Sequence, residues 1–209
     1  MPNPWETIPL SDYENHMKLS SVMQLQALNA MMKTQLSSYT VSDVTILGIA
    51  GGNGLEHIRD THYKNVYAVD INPFYLQEVT RRYPDLEDIL HCLCIDLSKE
   101  ADKLPESEYV IANLLVEYIG YECFKQVIRC TKPKYVSCII QINMEDTWVS
   151  DSPYLHVFDE LEQVHHQMEE KALEKVMKEV GYCIVKISER LLPNGKKLVQ
   201  LDFAKQYET

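Results

Sequence analysis

The sequence predicts an α/β protein built on a doubly wound, mostly parallel seven-stranded sheet that ends in an antiparallel hairpin. Three observations carry this. Short β-rich runs alternate with helix-like stretches, which orders strands parallel through helical crossovers. Several of those runs are apolar on successive residues, the pattern of strands covered on both faces. The last two runs flank a Pro-Asn-Gly turn, the composition of a hairpin.

The elements follow in order. After an extended, proline-marked start, residues 12–38 are mostly helix-like, with Met17, Val22, Leu25, Leu28, Met31 and Met32 at roughly helical spacing. Residues 1–40 are expected to form a helical lid packed on the domain made by residues 41–209. Five strands are expected in "VTILGIA", "NVYAVDI", "LHCLCID", "YVIANLL" and "KYVSCIIQI", with helices over 55–61, 73–83, 121–131 and 159–180. Gly181 stands where a C-cap glycine belongs. "YCIVKISERLL" and "KKLVQLDFAK" then make the hairpin, which puts one antiparallel strand into the sheet. No repeat, linker or low-complexity tract marks a second domain.

Charge and composition exclude several function classes. Among 209 residues, 20 are basic and 31 acidic, a net charge of −11, whose field repels phosphate backbones and argues against a nucleic-acid partner. The start lacks a basic and apolar leader, and no run of about 18 apolar residues occurs, so a soluble, cytoplasmic protein without membrane contact is expected. Six cysteines without a C-x-x-C pair read as reduced thiols.

The glycines locate the site. Only seven occur in the chain, and three fall within Gly51-Gly52-Asn53-Gly54, between a buried strand and a helix-like stretch. Small residues there allow a tight turn and close backbone approach to a ligand, and the free amides suit a carboxylate or phosphate. Asp70 ends the next strand, where a carboxylate reaches both hydroxyls of a ribose. Together these describe a nucleoside-containing cofactor lying across the strand ends. No register of the loop gives G-x-G-x-x-G, and no Gly-Lys-Ser/Thr follows, so dinucleotide and P-loop readings are disfavoured.

With its context, the loop resembles the glycine motif of the class I S-adenosylmethionine-dependent methyltransferases, an acidic residue and a spacer before G-x-G-x-G, aligned on Gly48-Ile49-Ala50-Gly51-Gly52-Asn53-Gly54. Two positions depart: Gly48 replaces the acid and Ala50 the first glycine. In the family the acid helps hold the cofactor's ammonium group, so Glu56 or a group on the amino-terminal helix is expected to substitute. "YAVDINPFYL" is similar to the second-strand motif, which implies Asp70 on the ribose and Ile71 beside the adenine. "CIDLSK" resembles the loop after strand three, which implies Asp96 accepting from the adenine amino group and Leu97 offering backbone contacts. "IANLLVEYIG" resembles the segment that closes the cofactor cleft, with Asn113 and Leu114 at its start. The resemblance implies a Rossmann-like domain and S-adenosylmethionine as cofactor.

Methyl transfer asks the protein to align a nucleophile behind an activated methyl and exclude water, with a base needed only for a protonated nucleophile. Glu117, Tyr13 and His16 are the candidate catalytic residues; the competing readings are a solvated carboxylate, a packing tyrosine and an exposed histidine. Trp148, Tyr154, His156 and Phe158, on the long aromatic connection after the fifth strand, are candidates for a substrate pocket or for packing that connection down. His91, Cys92 and Cys94 lie in an expected buried strand with no second ligand pair, so no metal site is assigned. His165-His166 read as a solvated helix face, and Lys196 and Lys197 as loop solubility. The expected function is methyl transfer to an oxygen, nitrogen or sulfur of a small molecule by a monomer or homodimer. The alternative is a non-catalytic module that binds S-adenosylmethionine or S-adenosylhomocysteine. A nicotinamide-dependent reductase is disfavoured by the missing fingerprint and the terminal hairpin.

Overall fold

A computed structural model describes residues 3–143 and 153–207. One seven-stranded sheet runs in the order β3-β2-β1-β4-β5-β7-β6, with β1 at Asp43–Leu47, β2 at Asn65–Asp70, β3 at Leu90–Cys94, β4 at Tyr109–Asn113, β5 at Tyr135–Ile142, β6 at Tyr182–Leu191 and β7 at Lys197–Lys205. The first five strands are parallel; β7 inserts antiparallel between β5 and β6. The doubly wound sheet and its hairpin are as expected.

Alternation along each strand fills both faces. Val44, Ile46, Val66, Tyr109 and Ile111 join one core with Met32, Leu36, Leu55, Ile58 and Val79. Leu47, Val110, Ala112, Val136 and Cys138 join the other with Phe124, Val127, Ile128, Leu173 and Met177. With both faces covered, most positions on either side are apolar, and buried polar ones such as Thr45 and Ser137 are hydrogen-bonded, which is why the strands read as mainly apolar runs. Burying one such aliphatic side chain stabilises the fold by about 1.5–3 kcal/mol. The edge strand β3 departs from the expectation of burial: it is half-covered and Cys94 is exposed, because only β2 flanks it.

The helices differ from the expected ones where local geometry interrupts them. Residues 12–38 split into α1 (Leu10–Met17) and α2 (Gln24–Leu36), separated by a turn that ends with Met23 at φ 54°. Residues 55–61 form a short 3-10 turn, Leu55–Asp60, after Gly54 at φ 95°. α3 (Pro73–Arg82) is capped by Asn72, whose side chain accepts from the amides of Phe74 and Tyr75, with Pro73 at the first turn where no amide is needed. α4 (Leu97–Glu100) is capped in the same way by Asp96. α5 (Val116–Thr131) begins earlier than expected and bends at Gly120. The single helix expected over 159–180 is broken into a 3-10 segment, Leu155–Gln163, and α6 (Glu170–Glu179). At the break, the His166 amide donates to the Glu117 carbonyl at 2.7 Å, turning the chain back onto α5. Gly181 follows α6 at φ 85°, as its position predicted. Among the described residues, no helix is long and apolar enough to cross a membrane.

Candidate functional site

Two adjoining cavities and a smaller pocket open at the carboxyl ends of the parallel strands. The first, about 690 Å³ with its open mouth, is bordered by Gly48, Ala50, Asp70, Ile71, Leu97, Asn113 and Leu114, all expected there. The second, about 610 Å³, is bordered by Glu117, Tyr13, His16 and Phe158, also expected. Trp5, Tyr13, Leu114 and Tyr118 border both. The pocket, about 530 Å³, lies against the glycine loop between Tyr13, Glu14, Gly51, Asn53 and Asn113.

The first cavity is organised around Asp70. Its Oδ2 accepts from the Ala50 amide and its Oδ1 from the Asn72 amide, each at 2.9 Å. Burial raises its pKa, against these amides, which favour the carboxylate. Asn113 is fixed by a reciprocal amide pair with Gln35, at 2.9 and 2.8 Å. Ala50 at φ 47° and Leu114 at φ 53° are left-handed without being glycine, a conformation worth about 1–2 kcal/mol of strain for an L-residue. Both border the first cavity, where such strain concentrates when it serves a site.

The glycine loop divides its work. A Cβ at Gly51 would stand 2.2 Å from Glu14 Oε1 and 2.7 Å from Arg82 Nη1, so glycine there admits the α1 carboxylate onto the loop. Gly54 is left-handed and lies against Met32 of α2. Gly52 and Gly54 face the scaffold: the Gly52 carbonyl accepts from the Tyr83 hydroxyl at 2.8 Å. Asn53 donates to the Leu25 carbonyl at 2.9 Å and accepts from Asn29 at 3.0 Å, binding the loop to α2. Asp96 is held by its cap, accepting from the Ser98 amide at 3.0 Å and pairing with Lys99 at 2.6 Å; its neighbour Leu97 borders the cavity instead.

In the second cavity, Glu117 is 3% exposed. Its Oε1 accepts from the Gln141 amide at 2.8 Å, and its buried Oε2 has no partner. Burial pushes this carboxyl up to about 7, against the Gln141 amide. Tyr13 sits edge-on to Trp5, 5.6 Å between ring centres, and its hydroxyl is held protonated by burial and by Asp70 and Glu14. His16 packs 4.9 Å from the Phe158 ring; burial lowers its pKa, and Lys196 lowers it further. The Trp5 indole N–H is also buried without a partner. An unpartnered donor and an unpartnered acceptor on one cavity's walls are what a ligand with both functions would satisfy.

The two readings of the aromatic connection, lining a pocket or packing the connection down, come out differently along it. His156 points outward, its side chain 92% exposed and paired with Asp159 at 3.2 Å, because the 3-10 segment turns Phe158 and Leu161 inward and residue 156 away. Tyr154 packs on the Ile8, Phe158 and Leu161 cluster without bordering either cavity. Trp148 lies outside the described residues.

Other wall residues were read as solvated. His165 borders the second cavity, held at about 4 by burial and by the nearby His166 and Lys196. Lys196 is 7% exposed, and burial brings it down to about 8. A signal for Lys196 existed: a strand antiparallel to the rest starts at the carboxyl end of its neighbours, and Lys197 pairs with Ile142 at the end of β5. The turn before β7 must therefore reach the site. Glu56, an expected substitute for the missing acid, lies behind the loop, held by the Asn29 amide at 2.6 Å and the Gly54 amide at 3.1 Å. Among the described residues, no cluster of three metal-ligating side chains occurs.

No family model matches the chain, and no curated protein does. Solved structures match its architecture. The N-methyltransferase NodS from Bradyrhizobium japonicum WM9, in complex with S-adenosyl-L-homocysteine, is similar over 99% of this chain and 100% of its own, with TM-score 0.69 and 11% identity. Magnesium protoporphyrin IX methyltransferase (ChlM) from Synechocystis PCC 6803, with bound SAM, is similar over 97% of this chain and 90% of its own, with TM-score 0.62 and 11% identity. The [4+2]-cyclase SpnF is similar over 93% of this chain and 86% of its own, with TM-score 0.67 and 8% identity. A methyltransferase and a cyclase at comparable likeness show that the shared architecture leaves the reaction to the site. In its strand order and its inserted antiparallel strand, the chain has the class I S-adenosylmethionine-dependent methyltransferase fold.

Proposed function

We propose that the protein is an S-adenosylmethionine-dependent methyltransferase acting on a small molecule with an ionisable O–H, N–H or S–H group. The observation that carries this is the pairing of chambers. A cavity bounded by Asp70 and the glycine loop shares a wall with one that holds a buried, unpartnered carboxylate oxygen near neutral pKa.

The residues fit the cofactor. Asp70 would take the ribose hydroxyls, Ile71 and Leu97 would flank the adenine, and Asn113 and Leu114 would close the cavity toward the acceptor. When bound, S-adenosylmethionine supplies a methyl group activated on a sulfonium. Glu117 would accept the nucleophile's proton at Oε2, its pKa near the value at which a base is both available and strong enough. Tyr13, Trp5 and Tyr118 would exclude water from the junction. The acidic balance of the chain favours a cationic or neutral acceptor over nucleic acid. A non-catalytic binding module has no need of the second chamber or of its orphaned carboxylate.

Calorimetric titration with S-adenosylmethionine and S-adenosylhomocysteine tests the first half: saturable binding lost in Asp70→Ala is expected. Formation of S-adenosylhomocysteine with a panel of phenols, amines and thiols tests the second, with turnover lost in Glu117→Gln at unchanged cofactor Kd. Cofactor binding without turnover on any acceptor class would favour the binding module.

A further inference from the structure

The loop that borders the cofactor cavity lacks a carboxylate of its own at Gly48, and the ligand proposed for it carries an ammonium group. Among the described residues, Glu14 is the only acidic one bordering the pocket formed by Gly48, Ala50, Gly51 and Asn113. It comes from α1, more than thirty positions earlier in the chain, and reaches the loop because residue 51 has no side chain: a Cβ there would overlap Glu14 Oε1 at 2.2 Å. Asp70 holds the Ala50 amide at 2.9 Å. The two carboxylates thus lie at successive loop residues, Asp70 bonded to the Ala50 amide and Glu14 linked to the Gly51 carbonyl through Arg82.

Glu14 is held from behind. Arg82 of α3 donates to its Oε2 at 2.9 Å and its Oε1 at 2.5 Å, and to the Gly51 carbonyl at 3.0 Å. Glu78 accepts from the same guanidinium at 2.8 Å, so Arg82 is shared between two carboxylates. A carboxylate has about four acceptor sites, so a ligand ammonium can join Glu14 without displacing Arg82. The other acid near the loop, Glu56, is already bonded to Asn29 and Gly54 and borders none of these cavities.

We infer that Glu14 is the residue that binds the ammonium of the cofactor's amino-acid moiety, making α1 part of the cofactor site. This rests on the S-adenosylmethionine reading and deepens it. The role of Arg82 is to position Glu14 over Gly51.

The experiment compares two ligands by calorimetry: S-adenosylhomocysteine, and 5′-methylthioadenosine, which keeps the nucleoside and thioether but lacks the amino-acid group. In Glu14→Gln, S-adenosylhomocysteine affinity is expected to fall at least about tenfold, the scale of one charge-assisted contact, while methylthioadenosine stays within about twofold. Arg82→Gln removes the tether and leaves the charge, so its loss for S-adenosylhomocysteine is expected to be under about threefold. Equal losses for both ligands in Glu14→Gln, no loss for either, or an Arg82→Gln loss as large as that of Glu14→Gln would overturn the assignment. Failure of the wild-type protein to bind either ligand would instead overturn the cofactor reading itself, and this inference with it.

Discussion

The two cavities are built by opposite strategies. The glycine-loop cavity takes its polar groups from the ends of neighbouring parallel strands, with Gly48, Asp70 and Asn113 at successive strand ends. The Glu117 cavity takes most of its walls from Trp5, α1, the first residue of α2, α5, the 3-10 segment and the hairpin turn, residues up to about 190 positions apart, together with Leu114 and Gln141 from the ends of β4 and β5. Strand ends in a doubly wound sheet are placed by the sheet itself. The second set is placed mostly by how peripheral segments pack, so the first cavity follows from topology and the second largely from tertiary detail.

The largest expected effect falls on the topological side. Gly54→Val adds a Cβ 2.6 Å from Met32 Cγ at a φ of 95°, combining left-handed strain with overpacking. Urea unfolding should show a loss of about 4 kcal/mol. A loss below about 1 kcal/mol would mean that α2 shifts freely and that the loop is not held by the scaffold.

Next comes Glu117, on the assembled side. A carboxyl raised by burial holds its proton more tightly in the folded state. The stability it contributes is full below 4.5 and is lost as pH rises through about 7. The difference between 4.5 and about 7 corresponds to about 3 kcal/mol. Glu117→Gln should therefore be about 3 kcal/mol more stable than wild type at pH 8, with the two converging near pH 4. A gap independent of pH would show that this carboxyl is not raised. As a base it should also give turnover that rises with pH through about 7.

Smaller effects refine the contrast. Ala50→Gly relieves left-handed strain at the cost of unfolded-chain entropy, for a net gain of about 0.5 kcal/mol. A loss would mean that the alanine methyl packs better than its backbone is strained. In Lys196→Met, the His165 imidazole should titrate higher, because one cause of its lowered value is removed. Unmoved imidazole resonances in an NMR titration would place the ammonium away from the cavity.

What was legible in the sequence follows the same division. The seven strands, Asp70 and the loop could be read because apolar runs and glycines report on strand ends directly. Glu14 could not, since its role depends on a missing side chain at Gly51 and on Arg82 of another helix. His165 was hidden by its charged neighbours, which continue a helical pattern through a stretch where the His166 amide leaves the helix for the Glu117 carbonyl. Asp96 does not border the cavity, which Leu97 does: its short helix takes the carboxylate as a cap, a competition that spacing does not reveal. His156 and Phe158 sit two apart, yet a 3-10 turn sends them to opposite sides, which an unstructured loop would not do.

The antiparallel insertion of β7 has a consequence for how such a protein can diverge. Its turn, Leu192 to Lys196, reaches the Glu117 cavity through Lys196 but is carried by two strands that pair with each other from Tyr182 and Lys205 up to Leu191 and Lys197. A hairpin anchored along that length tolerates residues gained or lost at its tip, since the register of the strands is set below it. Lineages can thus lengthen, shorten or recharge that tip and retune what the second chamber accepts. The Asp70 cavity, fixed by the central strands, has no comparable freedom. Change at the second chamber without change at the first is built into the strand order.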